Sequence, residues 1–358
     1  NTITGAATVT TVNGGTTTVG GVATLTTVSN GTLNLNGATS SIGTLTDGTV
    51  NLGTTALTVN AGTFVGLLAG TNGSLIKATA GHVPPGEAVF FRSFFAIPVI
   101  VIWLAMRREL HLGVRTSNPL GHFWRGLIGT TSMGLGFAGL GLLPLPEVTA
   151  IGYASPLLVV IFAAMFLNEK VGVYRLGAVA LGMAGVLIVL SPRLTVGTTG
   201  ADAREALGAM VVLGAAFFAS LAQVFVRKLV ATESTATIVF WFSVTASALS
   251  TITIFWGWVI PAPREAIFLI IAGLLGGVGQ ILLTSSYRLA DASVIAPFEY
   301  TSMILAIGVG FFVFGEVPTS VMLIGAAIII SAGVIIILRE HYLGLERAKQ
   351  RKAMSPNG

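Results

Sequence analysis

From Ala88 onward the chain is a succession of apolar blocks separated by short polar breaks. The blocks are Ala88–Met106, Gly126–Leu143, Val148–Leu167, Tyr174–Leu190, Ala206–Val226, Ser234–Ile260, Ala266–Tyr287, Ala292–Gly315 and Val317–Leu338. A helix needs about 20 residues to cross the hydrocarbon core. In lipid every backbone polar group must be satisfied internally, so only helices and closed barrels can span. Barrel strands would show ~10-residue segments of alternating polarity, and these blocks do not alternate. Nine membrane helices are therefore expected. Pro98, Pro156 and Pro297 inside them do not argue against this, because neighbouring helices in a membrane satisfy the backbone groups that proline frees. Composition agrees: 53% of the 358 residues are hydrophobic, only 9% are charged and the mean hydropathy is +0.86. A soluble domain carries about 25% charged residues. The absence of cysteine excludes disulfides, thiolate metal sites and a Cys nucleophile. The chain opens on Asn1 with no signal-peptide pattern ahead of it, so a fragment or processed product is expected.

The net charge of +5 is distributed in a way that sets orientation. "RRELHLGVR", "NEKVGVYR", the "RK" at 227–228, "YRLAD" and the tail "RAKQRK" are basic. The intervening breaks "LPLPE", "SPRLTVGTTGADARE" and "PAPRE" are poorer in net positive charge. Cationic breaks stay in the cytoplasm. The C-terminus, with the basic tail 341–358, is then cytoplasmic, and "AGHVPPGE" lies on the periplasmic side with everything before it.

The first 80 residues follow other rules. Residues 1 to 86 hold only Asp47, Lys77 and, just before the first block, His82 as ionisable side chains ahead of Glu87. Runs such as "TTTVG", "ATLTTV" and "TLNLNG" alternate with period 2, and a Gly-Thr step recurs at Gly15, Gly31, Gly48 and Gly62. Such runs, punctuated by Gly and Asn, predict short strands stacked as a β-solenoid over residues 1–80. "NGTLNLNGATSSIGTL", "ALTVNAGTFVG" and "GTNGSLIK" resemble the autotransporter-associated β-strand repeat of bacterial surface proteins. That resemblance brings no catalytic residue and implies a structural spacer.

The membrane half repeats internally. Tyr153, Ser155 and Glu169 recur 147 positions later as Tyr300, Ser302 and Glu316, and Gly177 and Gly185 pair with Gly325 and Gly333. Upstream, "IKATAGHVPPGEAVFFRS" lies over "RKLVATESTATIVFWFS", with Phe91 on Trp241 and Ser93 on Ser243. By the charge pattern Glu169 and Glu316 face opposite sides, which makes the repeat inverted. The second repeat, 204–340, has five spans; the first, 82–190, has four. The missing span would end near Lys77, where the β-repeat ends. The segments "SPLLVVIFAAMFLNEKVGVYRLGAVALGMAGVLIVL", "GGVGQILLTSSYRLADASVIAPFEYTSMILAI" and "FGEVPTSVMLIGAAIIISAGVIII" resemble the drug/metabolite transporter superfamily, EamA type. The resemblance implies ten helices in two inverted five-helix repeats and the movement of small organic molecules such as amino acids, metabolites or drugs. It leaves this chain with nine of ten helices, its first lost.

Ionisable groups inside membrane spans are expensive and usually face a cavity or pathway. Glu299 lies well inside its block beside Tyr300 and after Pro297, placed to bind a substrate amine or to accept a proton. Arg92 sits about one turn inside the first block, placed to meet Glu299 or a substrate carboxylate, or to snorkel to the interface. Tyr153 and Trp241 suit stacking on a flat substrate. Gln223 and Gln280 are mid-span amides, better explained singly as helix–helix hydrogen bonds than as ligand contacts. Glu169 and Glu316 end their spans as loop anchors. The run "AGLLGGVG" lacks a following Lys-Ser/Thr and reads as close helix packing rather than a phosphate loop. The four histidines, 82, 111, 122 and 341, all fall outside the blocks, and no metal cluster or Ser-His-Asp set is expected. The expected protein is a non-enzymatic, multi-pass transporter of the bacterial inner membrane, working by alternating access on a small-molecule substrate. A titrating Glu299 would make protons its coupling ion; neither cofactor nor nucleic acid is implied. The competing classes are a surface adhesin whose function lies in the repeat, and a non-functional chimera of the two halves.

Overall fold

The computed structural model describes residues 2–3, 7–19, 23–35, 40–46, 49–52, 54–108, 110–167, 171–194, 200–289 and 301–335. They divide into two compact units, Asn1–Ala61 and Gly62–Gly358. The first unit carries strands β1 (Thr2–Ile3), β2 (Ala7–Val19), β3 (Ala23–Leu35), β4 (Ser40–Thr46) and β5 (Thr49–Leu52). All pairings are parallel, in the order β1-β2-β3-β4, with β5 on the far end of β3. The register places like on like: Ala7 on Ala23, Gly15 on Gly31, Thr16 on Thr32 and Thr32 on Thr49. Runs rich in Thr and Val favour such pleated pairing.

The strand pattern stops earlier than its sequence resemblance implies. Thr54–Lys77 is one α-helix, α1, and it contains both "ALTVNAGTFVG" and "GTNGSLIK". The strand pattern therefore does not reach residue 80, and a helix stands where the sequence of the first repeat had left a gap. The segment has no charge before Lys77. Its Thr, Gly and Asn are weak helix formers; packing of Leu75 and Ile76 into a buried cluster helps hold the helix. Lys77, in the last turn, complements the negative end of the helix dipole.

The rest of the second unit is helical. α2 (Pro85–Phe94) and α3 (Ala96–Met106) are two halves of one rod, bent at Phe95. Pro98 lacks the N–H that would bond back to Phe94, which separates the halves. α4 (Leu110–Val114) is a short turn. α5 (Pro119–Leu142) starts at Asn118, whose side chain accepts from the Gly121 N–H, with Pro119 at its first position. α6 (Leu145–Gly152) and α7 (Ala154–Leu167) bend at Tyr153, three residues before Pro156, by the same mechanism. Then come α8 (Val173–Leu194), α9 (Gly200–Val230) and α10 (Thr235–Thr251), the last running into a 3₁₀ turn over Ile252–Trp256 that ends on Gly257 at φ 87°. α11 (Pro263–Leu289), α12 (Thr301–Phe314) and α13 (Ser320–Ile335) complete the described chain.

Among the described residues six rods are long and apolar enough to cross a membrane: Pro85–Met106, Leu145–Leu167, Val173–Arg193, Ala203–Val230, Thr235–Trp256 and Pro263–Arg288. Their outward faces carry large exposed apolar side chains, such as Phe255, Trp256 and Met165, of a kind that water disfavours in such number and lipid accepts. Inside, Leu157, Val160, Val186, Val212, Ala326 and Ile329 form the largest buried cluster, joining α7, α8, α9 and α13.

Candidate transport site between swapped helix pairs

Two helix crossings organise the middle of the bundle. α5 packs on α10, and α11 packs on α2. A side chain at Gly126 of α5 would collide with Thr245 of α10, and one at Gly273 of α11 would collide with Phe95 of α2. Gly126 and Gly273 are 147 positions apart, and Phe95 and Thr245 are 150 apart. One turn on, Gly129 abuts Phe242 while Gly276 abuts Arg92, again the same pairs of repeat mates. Each crossing therefore joins one helix from each repeat, in equivalent ways. The missing Cβ lets the backbones approach closely.

These crossings bring two guanidinium groups into the apolar interior. Arg92 on α2 is partly buried against Gly276, next to Asn72 of α1, whose amide donates to the Ala272 carbonyl of α11 (2.6 Å). Arg125 on α5 is 5% exposed and lies 3.7 Å above the Phe242 ring. Arg92 and Tyr287 of α11 are both within electrostatic reach of Arg125. The Tyr287 hydroxyl donates to Gln223 of α9. Every carboxylate with a described side chain, by contrast, sits at a helix end or in a loop: Glu87, Glu147, Glu205, Glu233, Glu265 and Glu316.

Of the residues singled out from sequence, Glu299, Tyr300 and Glu169 lie outside the described residues. Tyr153 is buried at the α6–α7 bend, 2.6 Å from the Ser302 hydroxyl of α12, so it joins the two repeats. Gln280 donates to Thr284 on its own helix (3.3 Å). Trp241 donates to the carbonyl of Val114, the last residue of α4 (3.3 Å), which ties it to that short helix rather than to Tyr153. Arg125 was missed because its block was begun at Gly126. The signal was present: Asn118–Pro119 is a helix start, and it moves seven more residues into α5. For the same reason His122, expected outside the spans, is inside α5 and 2% exposed. Among the described residues no group of three or more His, Asp or Glu stands ready to hold a metal.

The two ends of the unit differ in chemistry. At one end, Lys77 meets Glu316 at 3.0 Å and donates to the Leu143 carbonyl at 2.6 Å, while Glu316 accepts from the Leu145 N–H at 2.7 Å. Arg193 of α8 grips Glu147 of α6 through two bonds (2.9 and 2.7 Å) and also meets Glu205 of α9. His82 is 2.9 Å from Glu265. The Lys77–Glu316, Arg193–Glu147 and His82–Glu265 pairs join parts of the chain that are distant in sequence. At the other end one carboxylate is the hub. Glu233, between α9 and α10, accepts from the Thr116 hydroxyl (2.8 Å), the Ser117 N–H (2.8 Å) and hydroxyl (3.0 Å), and the Asn118 N–H (3.1 Å). Burial pushes its carboxyl up, but these bonds together outweigh burial and hold it below the usual carboxylate range. Glu233 also faces the start of α5, where free N–H groups favour an anion. Arg288 holds the same loop through the Glu233 carbonyl and the Thr235 hydroxyl.

A bundle in which two like halves exchange helices and enclose charge between apolar walls defines a class of membrane protein that handles solutes. The EamA-like transporter family pattern matches the chain twice, over residues 59–191 and 206–339, and the chain belongs to that family. The first match begins inside α1, which places that helix in the first repeat. Among curated proteins the chain is 30% identical over 263 residues to the pseudopaline exporter CntI of Pseudomonas aeruginosa, covering 72% of this chain and 88% of the relative. It is 30% identical to an S-adenosylmethionine uptake transporter of Rickettsia bellii (71% and 84% covered) and 28% identical to a riboflavin transporter of Rhizobium johnstonii (72% and 82% covered). A solved crystal structure shares the fold, with a TM-score of 0.60 and 21% identity over 78% of this chain and 98% of its own.

Proposed function

We propose that the chain carries small organic solutes across a bacterial inner membrane by alternating access, from a site enclosed by α2, α5, α10 and α11. The observation that carries this reading is the exchange of equivalent helix pairs between two copies of one family unit. Two such copies, inserted in opposite senses, can rock about a shared site and open it to each side in turn. Relatives named for pseudopaline export, S-adenosylmethionine uptake and riboflavin transport support a small organic cargo and leave direction open. In this reading the ion pairs around Lys77, Arg193 and His82 seal one face, and the Glu233 hub orders the other.

In this reading α1 serves as a tenth span beside the nine expected from sequence, and the N-terminal segment changes sides. A cytoplasmic C-terminus now puts residues 1–53 in the cytoplasm, not the periplasm as expected from nine spans, while "AGHVPPGE" stays periplasmic. Parallel in-register strands suit a short β-solenoid there, a spacer without chemistry; its kinship with autotransporter repeats rests on the sequence pattern alone. Glu299 and Tyr300 keep their proposed place in the pathway on sequence grounds, with Glu299 the candidate proton carrier.

The test uses proteoliposomes loaded with an isotope-labelled extract of bacterial metabolites, with release read by mass spectrometry. A discrete set of small organic solutes should leave faster than from protein-free liposomes. Glu299→Gln should abolish that release at unchanged folded yield. Release no faster than from empty liposomes contradicts the transporter reading; full release by the Gln variant makes Glu299 merely structural.

A further inference from the structure

We infer that Arg125 is the anchor for an acidic group on the transported solute, so that the cargo is an organic anion or zwitterion bearing a carboxylate. This rests on the transporter reading and names the substrate class at its site. Arg125 is buried on α5, yet among the described residues its Nε and Nη1 have no hydrogen-bond acceptor. The Phe242 ring beneath the guanidinium offsets part of the desolvation cost through its π face but leaves the N–H edge unanswered. An uncompensated cation inside a bundle costs several kcal/mol.

A second, independent observation points to the same chemistry. Hydroxyls on these helices normally turn back to their own backbone, as at Ser74, Thr131, Thr149, Ser247 and Ser250. Ser93 on α2, Thr130 on α5 and Ser243 on α10 do not: among the described residues their oxygens are buried without a partner, on three helices that pack against one another. Ser93 and Ser243 are repeat mates, 150 positions apart, as expected of groups near the axis relating the repeats. A guanidinium with open N–H groups, on packed helices that also carry unbonded hydroxyls, is complementary to a carboxylate, and an aromatic floor suits a flat organic body beside it. A neutral solute would leave Arg125 as unsatisfied as it is now.

The test measures thermal unfolding of the purified full chain at constant ionic strength, with benzoate as the carboxylate probe and benzamide as its neutral counterpart. At about ten times its half-saturating concentration benzoate should raise Tm by roughly 3 °C, and benzamide should not. Arg125→Gln should remove the benzoate response, and Arg125→Lys, which keeps the charge but not the planar fork, should retain a weakened one. Size-exclusion profiles establish that both variants are folded. If benzoate does nothing to the unmutated protein, as expected if Glu299 already neutralises Arg125, the proposal is overturned. An equal response in Arg125→Gln, or to benzamide, overturns it as well. Solute release intact alongside any of these failures would leave the transporter reading standing.

Discussion

The α2–α11 and α5–α10 crossings are the same contact made twice with different chemistry. In both, a glycine from one repeat meets a residue from the other: Gly273 meets Phe95 and Gly126 meets Thr245. In both, a second glycine lies one turn further on. There the symmetry ends, for Arg92 lies against Gly276 and its mate Phe242 lies against Gly129, beneath Arg125. Duplication supplied the backbone approach; divergence placed one guanidinium on α2, against α11, and the other on α5 itself. The lesson is that the repeated positions carry the close helix approach, while the repeats differ in where they place charge.

The comparison breaks first at the glycines. Gly126→Leu and Gly273→Leu should each destabilise by about 1–3 kcal/mol or prevent folding, because the crossing leaves no room for a side chain. Detergent-solubilised thermal unfolding reads both, and a loss confined to one of them would mean that the crossings are not equivalent. The next effect concerns the sealed end. Lys77→Met and Glu316→Gln should each cost on the order of 1 kcal/mol, discounted for partial exposure, and the double variant should cost less than the sum. Additive costs would show that the pair does not act as one latch.

The smallest effect is at Glu233. Its carboxyl is held below the usual range in the folded protein, so it binds a proton less readily folded than unfolded. Its contribution is therefore fully present above the unfolded pKa of about 4.3 and is lost as pH falls through the lower folded value. Glu233→Gln should lower Tm at pH 7 by a few degrees, and the gap from the unmutated protein should close in acid. A gap that persists unchanged at low pH would mean that shape, not charge, holds the hub.

Most spans were legible in sequence because an unbroken apolar run has few alternatives in lipid. α1 was not. Its Thr, Gly and Asn are the same residues that build the strands before it, and in a membrane helix they signal close packing instead. Arg125 and His122 were hidden by a boundary set from hydropathy alone; the Asn118–Pro119 cap gives the true start of α5. The Glu233 hub was beyond reach, because its partners lie 115 to 117 positions away and no local pattern encodes such pairing. The Tyr153–Ser302 contact was half visible: the repeat showed which residues correspond, but not that one repeat's tyrosine would meet the other's serine.

The central claim is that two copies of one unit sit in the membrane in opposite senses, with α1 as the tenth span. The chain has no cysteine, so a single introduced thiol reports without background. Gly81, between α1 and α2, and Ala231, between α9 and α10, are equivalent loop positions, and a side chain at Gly81 meets nothing within 4 Å. In intact cells a membrane-impermeant maleimide should label Gly81→Cys at once and Ala231→Cys only after permeabilisation. Labelling of both from the same side would contradict the inverted repeat and the alternating-access account built on it.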